Sequence, residues 1–132
     1  MPIGLVERLP LTVHIVPYIV NGGGVSVQPG PAGDIHWPWD AELVRICFAG
    51  RPIPGTMSID LLVGEMMDFP DDQVSMVGSG TYPNITDAQN AEFDNFTDWT
   101  TTHFSAGTMS SLVVLDNDVF DFMTISVIVR SL

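Results

Sequence analysis

Lysine is absent from this chain, and the absence removes several functions at once. There is no P-loop lysine to hold a phosphate, no amine for a Schiff base, and no polybasic patch for an anionic membrane. The only cations are four arginines, Arg8, Arg45, Arg51 and Arg130, set against sixteen acids for a formal net charge of −12. A chain so anionic is not expected to bind a phosphate backbone, so nucleic acid is excluded as a partner. Cysteine is nearly missing as well. The one thiol, Cys47, lies in an apolar run, so no disulfide scaffold is present and the residue is expected to be a small buried hydrophobe. No Lys or His next to it in sequence lowers its pKa. No run approaches the roughly 20 apolar residues of a membrane span. Met1-Pro2 is not followed by a basic stretch and an apolar core, so no signal peptide is expected. Finally, no segment sustains a helical period over three turns.

What is present is apolar. Of the 132 residues, 45% are hydrophobic and only 15% are charged, whereas about 25% charged is usual for a globular domain. A chain of this length forms one domain, read as residues 11–132 behind an N-terminal arm of residues 1–10. The excess apolar surface then calls for burial against other subunits.

Short apolar runs recur between Gly, Pro and Asp, which is the pattern of an all-β chain. Leu11 to Val20 reads as a first strand, with Pro17 placing its later half at an edge or bulge. A short strand is read at Val25 to Val27, a break at Pro29 to Gly33, and a strand at Asp34 to Trp37. From Ala41 to Ala49 simple alternation sets Val44, Ile46 and Phe48 on one face and Leu43, Arg45 and Cys47 on the other. Thr56 to Val63 alternates with Met57, Ile59, Leu61 and Val63 together. Gly64 to Asp98 is one long central excursion, with at most a helical turn at Asp87 to Phe93. Three strands close the chain: Trp99 to Phe104, Thr108 to Asp116, and Val119 to Arg130, the last with Met123, Ile125, Val127 and Val129 inward. About eight short strands of this kind fit two antiparallel sheets packed face to face, a jelly-roll-like β-sandwich.

Candidate sites each have a plainer reading. Asp116, Asp118 and Asp121 invite a calcium ion, but the spacing is not that of an EF-hand. A tight turn between antiparallel strands wants Asp and Asn in any case, so no metal or other cofactor is assigned. His14, His36 and His103 are too dispersed for a zinc site, no nucleophile-elbow motif fixes a serine, and nothing selects a pair of acids for glycoside hydrolysis. The chain is accordingly read as a non-enzyme. Asn84-Ile85-Thr86 and Asn95-Phe96-Thr97 match the glycosylation pattern but, without a secretory signal, are read as chance matches. In "IHWPWD" (Ile35–Asp40), Trp37 and Trp39 flank Pro38 and are expected on opposite faces, one in the core and one outside. The outer indole would anchor a subunit contact or stack on a sugar.

The order of motifs adds a resemblance. "PGPAGDIHWPWDAELVRICFAG", "GTMSIDLLV", "DFPDDQVSMVGSGTYPNITDAQNAEF", "FTDWTTTHFSAGTMSSLVVLDND" and "MTISVIVR" together resemble a family of tailed-bacteriophage virion proteins, over about Gly30 to Arg130. The pattern falls on Gly33, Pro38, Ser58-Ile59-Asp60, Phe69-Pro70, Ser75-Met76-Val77-Gly78, Pro83, Trp99-Thr100, Ala106-Gly107 and Arg130. Two positions depart from it: Thr108 stands where Asp usually follows the glycine, and no lysine follows Asp60. The resemblance implies a jelly-roll-like module of a capsid accessory protein, head fibre or tail fibre.

The combined expectation is a structural virion protein on the outer surface of a phage capsid or tail. It would act as a decoration, cement or adaptor subunit, as a homotrimer, with the major capsid protein or a tail protein as partner. Expected interface anchors are Trp37, Trp39 and Phe69, with Leu5 and Leu9 as a docking segment in the arm. The alternative is a carbohydrate-binding receptor module using Trp39 or Trp99.

Overall fold

The computed structural model describes residues 12–132. Leu5, Leu9 and the rest of the N-terminal arm lie outside the described residues. Ten strands run in the order β1 (Val13–Asn21), β2 (Gly30–Trp37), β3 (Ala41–Arg51), β4 (Gly55–Glu65), β5 (Val74–Ser75), β6 (Asn84–Ala88), β7 (Asn90–Phe93), β8 (His103–Phe104), β9 (Thr108–Asn117) and β10 (Phe122–Ser131). A single 3-10 turn, Met66–Asp68, follows β4.

The pairings are nested, because the first strand meets the last and each later strand meets one correspondingly earlier from the end. β1 pairs with β10, β2 with β9, β3 with β7 and β8, and β4 with β5 and β6, all antiparallel. The chain is thus one long hairpin rolled up, closed by the β10–β3 and β9–β4 ladders. Two five-stranded sheets result, one ordered β1-β10-β3-β7 with β8 beside β3 (sheet A), the other β2-β9-β4-β5 with β6 beside β4 (sheet B). This is a jelly roll.

The core is the slab between the sheets. Period-two alternation puts Met123, Ile125, Val127 and Val129 of β10 against Met57, Ile59 and Leu61 of β4, all essentially without solvent contact. Those two strands run as their sequences dictate. β3 does not, since its ladder to β10 slips between Leu43 and Arg45. The extra residue there, Val44, is a β-bulge, so Leu43 is buried with Ile46 and Phe48 while Val44 is only half-buried. Simple alternation from Ala41 therefore misassigned Leu43 and Val44.

Four other expectations change. Val25–Val27 forms no strand, although Val27 is buried and its N–H reaches Phe120 O at 2.9 Å. The Pro29–Gly33 break is instead largely the start of β2, with a register slip between Pro31 and Gly33. Trp99–Phe104 yields strand only at His103–Phe104. The region Asp87–Phe93 is extended rather than helical, because Asp87 takes φ 50° and the chain crosses there from β6 in sheet B to β7 in sheet A. The side-chain amide of Gln89, between the two strands, donates to Gly50 O and Pro52 O and fixes that crossing.

Motif residues that the sequence could only place in order turn out to be joined. Ser75 Oγ donates to Asp60 Oδ1 at 2.7 Å and accepts the N–H of Val77 at 3.1 Å. Gly78 follows at φ 59°, where an added Cβ would sit 2.2 Å from Thr100 Oγ1. The central excursion is therefore stapled to sheet B by the Ser58-Ile59-Asp60 strand, and only glycine fits where Thr100 passes.

Candidate functional site

The two tryptophans around Pro38 are indeed parted, but not by strand alternation. Positions two apart on a strand share a face, and β2 ends at Trp37, so the bend at Pro38–Trp39 is what turns the second indole outward. Trp37 is 3% exposed, stacks on Phe104 with centroids 4.2 Å apart, and donates its N–H to Ser110 Oγ at 2.8 Å. It belongs to the core and has no surface to offer a partner, which corrects its place among the interface anchors. Trp39 is 45% exposed and lies against His14 at 5.4 Å. Trp99 is half-buried in a cluster with Phe93 and Phe96, and its indole N–H is taken by Thr81 O at 3.1 Å. Phe69 stands on the loop after the 3-10 turn and is partly exposed.

The polar candidates are occupied by structure. Asp40 Oδ1 accepts the N–H of Ala106 at 2.8 Å, while His36 is exposed on the outer face of sheet B, so the two make no acid–base pair. Asp118 Oδ1 accepts the N–H groups of Thr56 and Val119, and Asp116 Oδ1 that of Ser58. Asn117 binds Phe120 and Val27 through its amide. The acidic turn thus spends its oxygens on the backbone of β4 and its own hairpin, as an Asx-rich turn does. His103 Nδ1 faces Glu42 Oε2 at 3.7 Å, and Glu42 also takes the hydroxyl of Thr102. Among the described residues no three of His, Cys, Asp and Glu converge as a metal-ligand set.

Two open grooves dent the surface. The first, beside β1, is lined by Ile19, Asn21, Val25, Gln28 and Ala32, and no titratable side chain enters it. The second lies beside the 3-10 turn and gathers Glu65, Asp68, Asp72 and His103.

The most distinctive surface is the outer face of sheet A, which the sequence gave little means of finding. Strand β1 is an edge strand, and its outward positions Val13, Ile15 and Ile19 are each at least 60% exposed. Register carries this apolar row across the sheet: Ile15 opposite Ile128, Pro17 opposite Ser126, Ile19 opposite Thr124, then Cys47 and Ala49 on β3. Cys47 is half-exposed here rather than buried in the core, because the bulge at Val44 shifts its strand. Its thiol pKa is nevertheless raised, first by partial desolvation and then by the Glu92 carboxylate, against the lowering influence of Arg45.

Every arginine of the described residues lies on this same face. Arg45 pairs with Glu92 at 3.6 Å, Arg51 lies over the Phe122 ring at 5.1 Å, and Arg130 stands opposite Val13. Nearly all the acids fall elsewhere, on the outer face of sheet B or on the end loops. A molecule with net charge −12 therefore has one apolar face rimmed by cations. The chemistry of such a face is association, through burial of apolar area with charges at the margin.

No protein-family model and no curated protein sequence matches this chain. Among solved structures, it is similar to a chain from the capsid of Ralstonia phage GP4, with a TM-score of 0.57 and 7% sequence identity, over 94% of this chain and 87% of that one. A structure of infectious bursal disease virus, Gx strain, matches at a TM-score of 0.38 and 10% identity, over 91% of this chain and 32% of that chain, too low a score to argue from. With the strand order above, the first likeness shows a shared antiparallel β-sandwich of jelly-roll form.

Proposed function

We propose that this chain is a structural virion protein of a tailed bacteriophage, acting by protein–protein association as a decoration, cement or adaptor subunit on the outer surface of capsid or tail. The observation that carries the reading is the apolar row Val13, Ile15 and Ile19 on an exposed sheet face of a strongly anionic sandwich. A lone soluble domain rarely leaves such a row uncovered. The fold shared with a chain of the GP4 capsid supports the same reading. The partners are other copies of this chain, as a homotrimer, and the major capsid protein or a tail protein.

One observation favours a second reading. Trp39 is exposed at the end of the sandwich beside His14, and an open indole is what a sugar ring stacks on. A receptor-binding module would use it.

Quantitative mass spectrometry of purified particles tests the first reading, with the chain expected in many copies per particle. Its absence from particles would overturn it. Binding of the isolated protein to a glycan array, lost in Trp39→Ala, would move the assignment to the second.

A further inference from the structure

The loop Glu65–Asp72, "EMMDFPDD", has the opposite character to the arginine face. Met67 is 90% exposed, Met66 49% and Phe69 37%, and Glu65, Asp68, Asp71 and Asp72 are exposed among them. This is an apolar knob ringed by carboxylates, carried by the end of β4 in sheet B. The outer face of sheet A is an apolar row bordered by Arg45, Arg51 and Arg130. Neither surface satisfies the other within one molecule, because they belong to different sheets.

The geometry points to a head-to-tail contact between copies of this chain, in which the Met66–Asp72 knob of one molecule seats on the outer face of sheet A of the next. This rests on the reading of the protein as an assembling subunit and names its partner. Both ingredients of an interface are matched: methionines and a phenylalanine meet isoleucines and a valine, and carboxylates meet guanidinium groups. Methionine suits a knob of this kind, since its flexible thioether adapts to an uneven apolar surface.

The contact uses the face rather than the edge of β1. Thr12 O accepts from Ser131 N, so by alternation the even-numbered residues of β1 bond to β10 and the odd-numbered ones point their N–H groups to the free edge. Pro17 is odd-numbered and has no N–H. An incoming strand would lose a ladder bond in mid-edge, the usual protection against edge pairing. Two different surfaces joined in this way make a heterologous interface, which closes into a ring when the rotation allows.

Charge reversal on each side tests it. The face variant carries Arg45→Glu, Arg51→Glu and Arg130→Glu; the knob variant carries Asp68→Lys, Asp71→Lys and Asp72→Lys; a third carries all six changes. All the altered side chains are exposed, and circular dichroism with thermal melting confirms folding. In sedimentation velocity the unaltered protein is expected to be oligomeric, both single-side variants at least tenfold weaker in association, and the six-fold variant restored. The knob variant is the sharpest arm, because it lowers the magnitude of the net charge, so that general repulsion would strengthen its association instead. A monomeric unaltered protein overturns the proposal, as does undiminished association of either single-side variant. Association that survives the knob changes but disappears on removal of residues 1–11 gives the face to the N-terminal arm and also overturns it. A chain present on particles yet monomeric in solution sinks this contact alone, whereas head-to-tail association of a chain absent from particles sinks the virion reading alone.

Discussion

Trp37 and Ser110 meet across the β2–β9 pair inside the sandwich, the indole N–H donating to the serine hydroxyl oxygen at 2.8 Å. The same hydroxyl lies 3.1 Å from the phenol oxygen of Tyr18, on the opposite sheet. Ser110 is 1% exposed, so one small hydroxyl satisfies two aromatic polar groups and ties sheet A to sheet B. Ser110→Ala is expected to lower unfolding free energy by about 2–4 kcal/mol, since each buried polar group left without a partner costs roughly 1–3 kcal/mol. Urea denaturation should show the midpoint falling with an unchanged slope.

The phenol of Tyr18 makes stability depend on alkaline pH. Burial pushes its pKa up to about 12, an effect that the Ser110 hydrogen bond opposes and the Asp34 carboxylate reinforces. In the unfolded chain it titrates near 10. Between these values the folded state holds a proton that the unfolded state has released, so stability is intact below pH 10 and is lost as pH rises toward 12. The loss attributable to this group is roughly 2–3 kcal/mol across that window, at about 1.4 kcal/mol per pKa unit. Tyr18→Phe should be less stable than the unaltered protein at pH 8 but lose less on going to pH 11. Parallel pH dependence in the two proteins would show that Tyr18 is not the group responsible.

The strands were legible where alternation is unbroken and one face is buried, as from Met123 to Val129 and from Met57 to Leu61. Pro17 likewise marked an edge strand correctly. Legibility failed where the backbone departs from the period: one bulge residue, Val44, reversed the faces assigned to Leu43 and Cys47, and a left-handed Asp87 allowed two short strands where a helical turn was read. The outer face of sheet A was hidden for a different reason. Arg45, Arg51 and Arg130 are distant in sequence and share a surface only because β3 pairs with β10. Tryptophan drew attention as the residue most enriched in interfaces, yet Trp37 fills the core, and smaller aliphatic residues of β1 form the exposed row.

Asp118 closes the turn from β9 toward β10 by accepting the Thr56 N–H at 2.9 Å and the Val119 N–H at 2.6 Å. A carboxylate so used stabilises backbone geometry, not an ion. Asp118→Ala is expected to cost about 1–2 kcal/mol, in the range for hydrogen bonds to a charged group at a solvent-accessible site. Calcium or a chelator should leave the melting temperature of the unaltered protein where it is. A rise in melting temperature with calcium that Asp118→Ala abolishes would instead show an ion in the turn.

Cys47 offers a chemical probe of the arginine face. Partial burial and the Glu92 carboxylate both disfavour the thiolate and outweigh the neighbouring Arg45, so the pKa is raised. Because the thiolate is the nucleophile, alkylation by iodoacetamide at pH 8 should be slower than that of an unperturbed cysteine in a short peptide. Glu92→Gln removes a charge that opposes ionisation and should speed the reaction, whereas Arg45→Gln removes the one that favours it and should slow it. The opposite order would mean that the face is arranged differently from the β3–β7 register, in which Cys47 stands opposite Glu92. Alkylation followed at rising protein concentration then reports coverage of the face itself. A thiol that becomes protected as the concentration rises, and stays reactive in the knob variant, places the neighbouring molecule over sheet A.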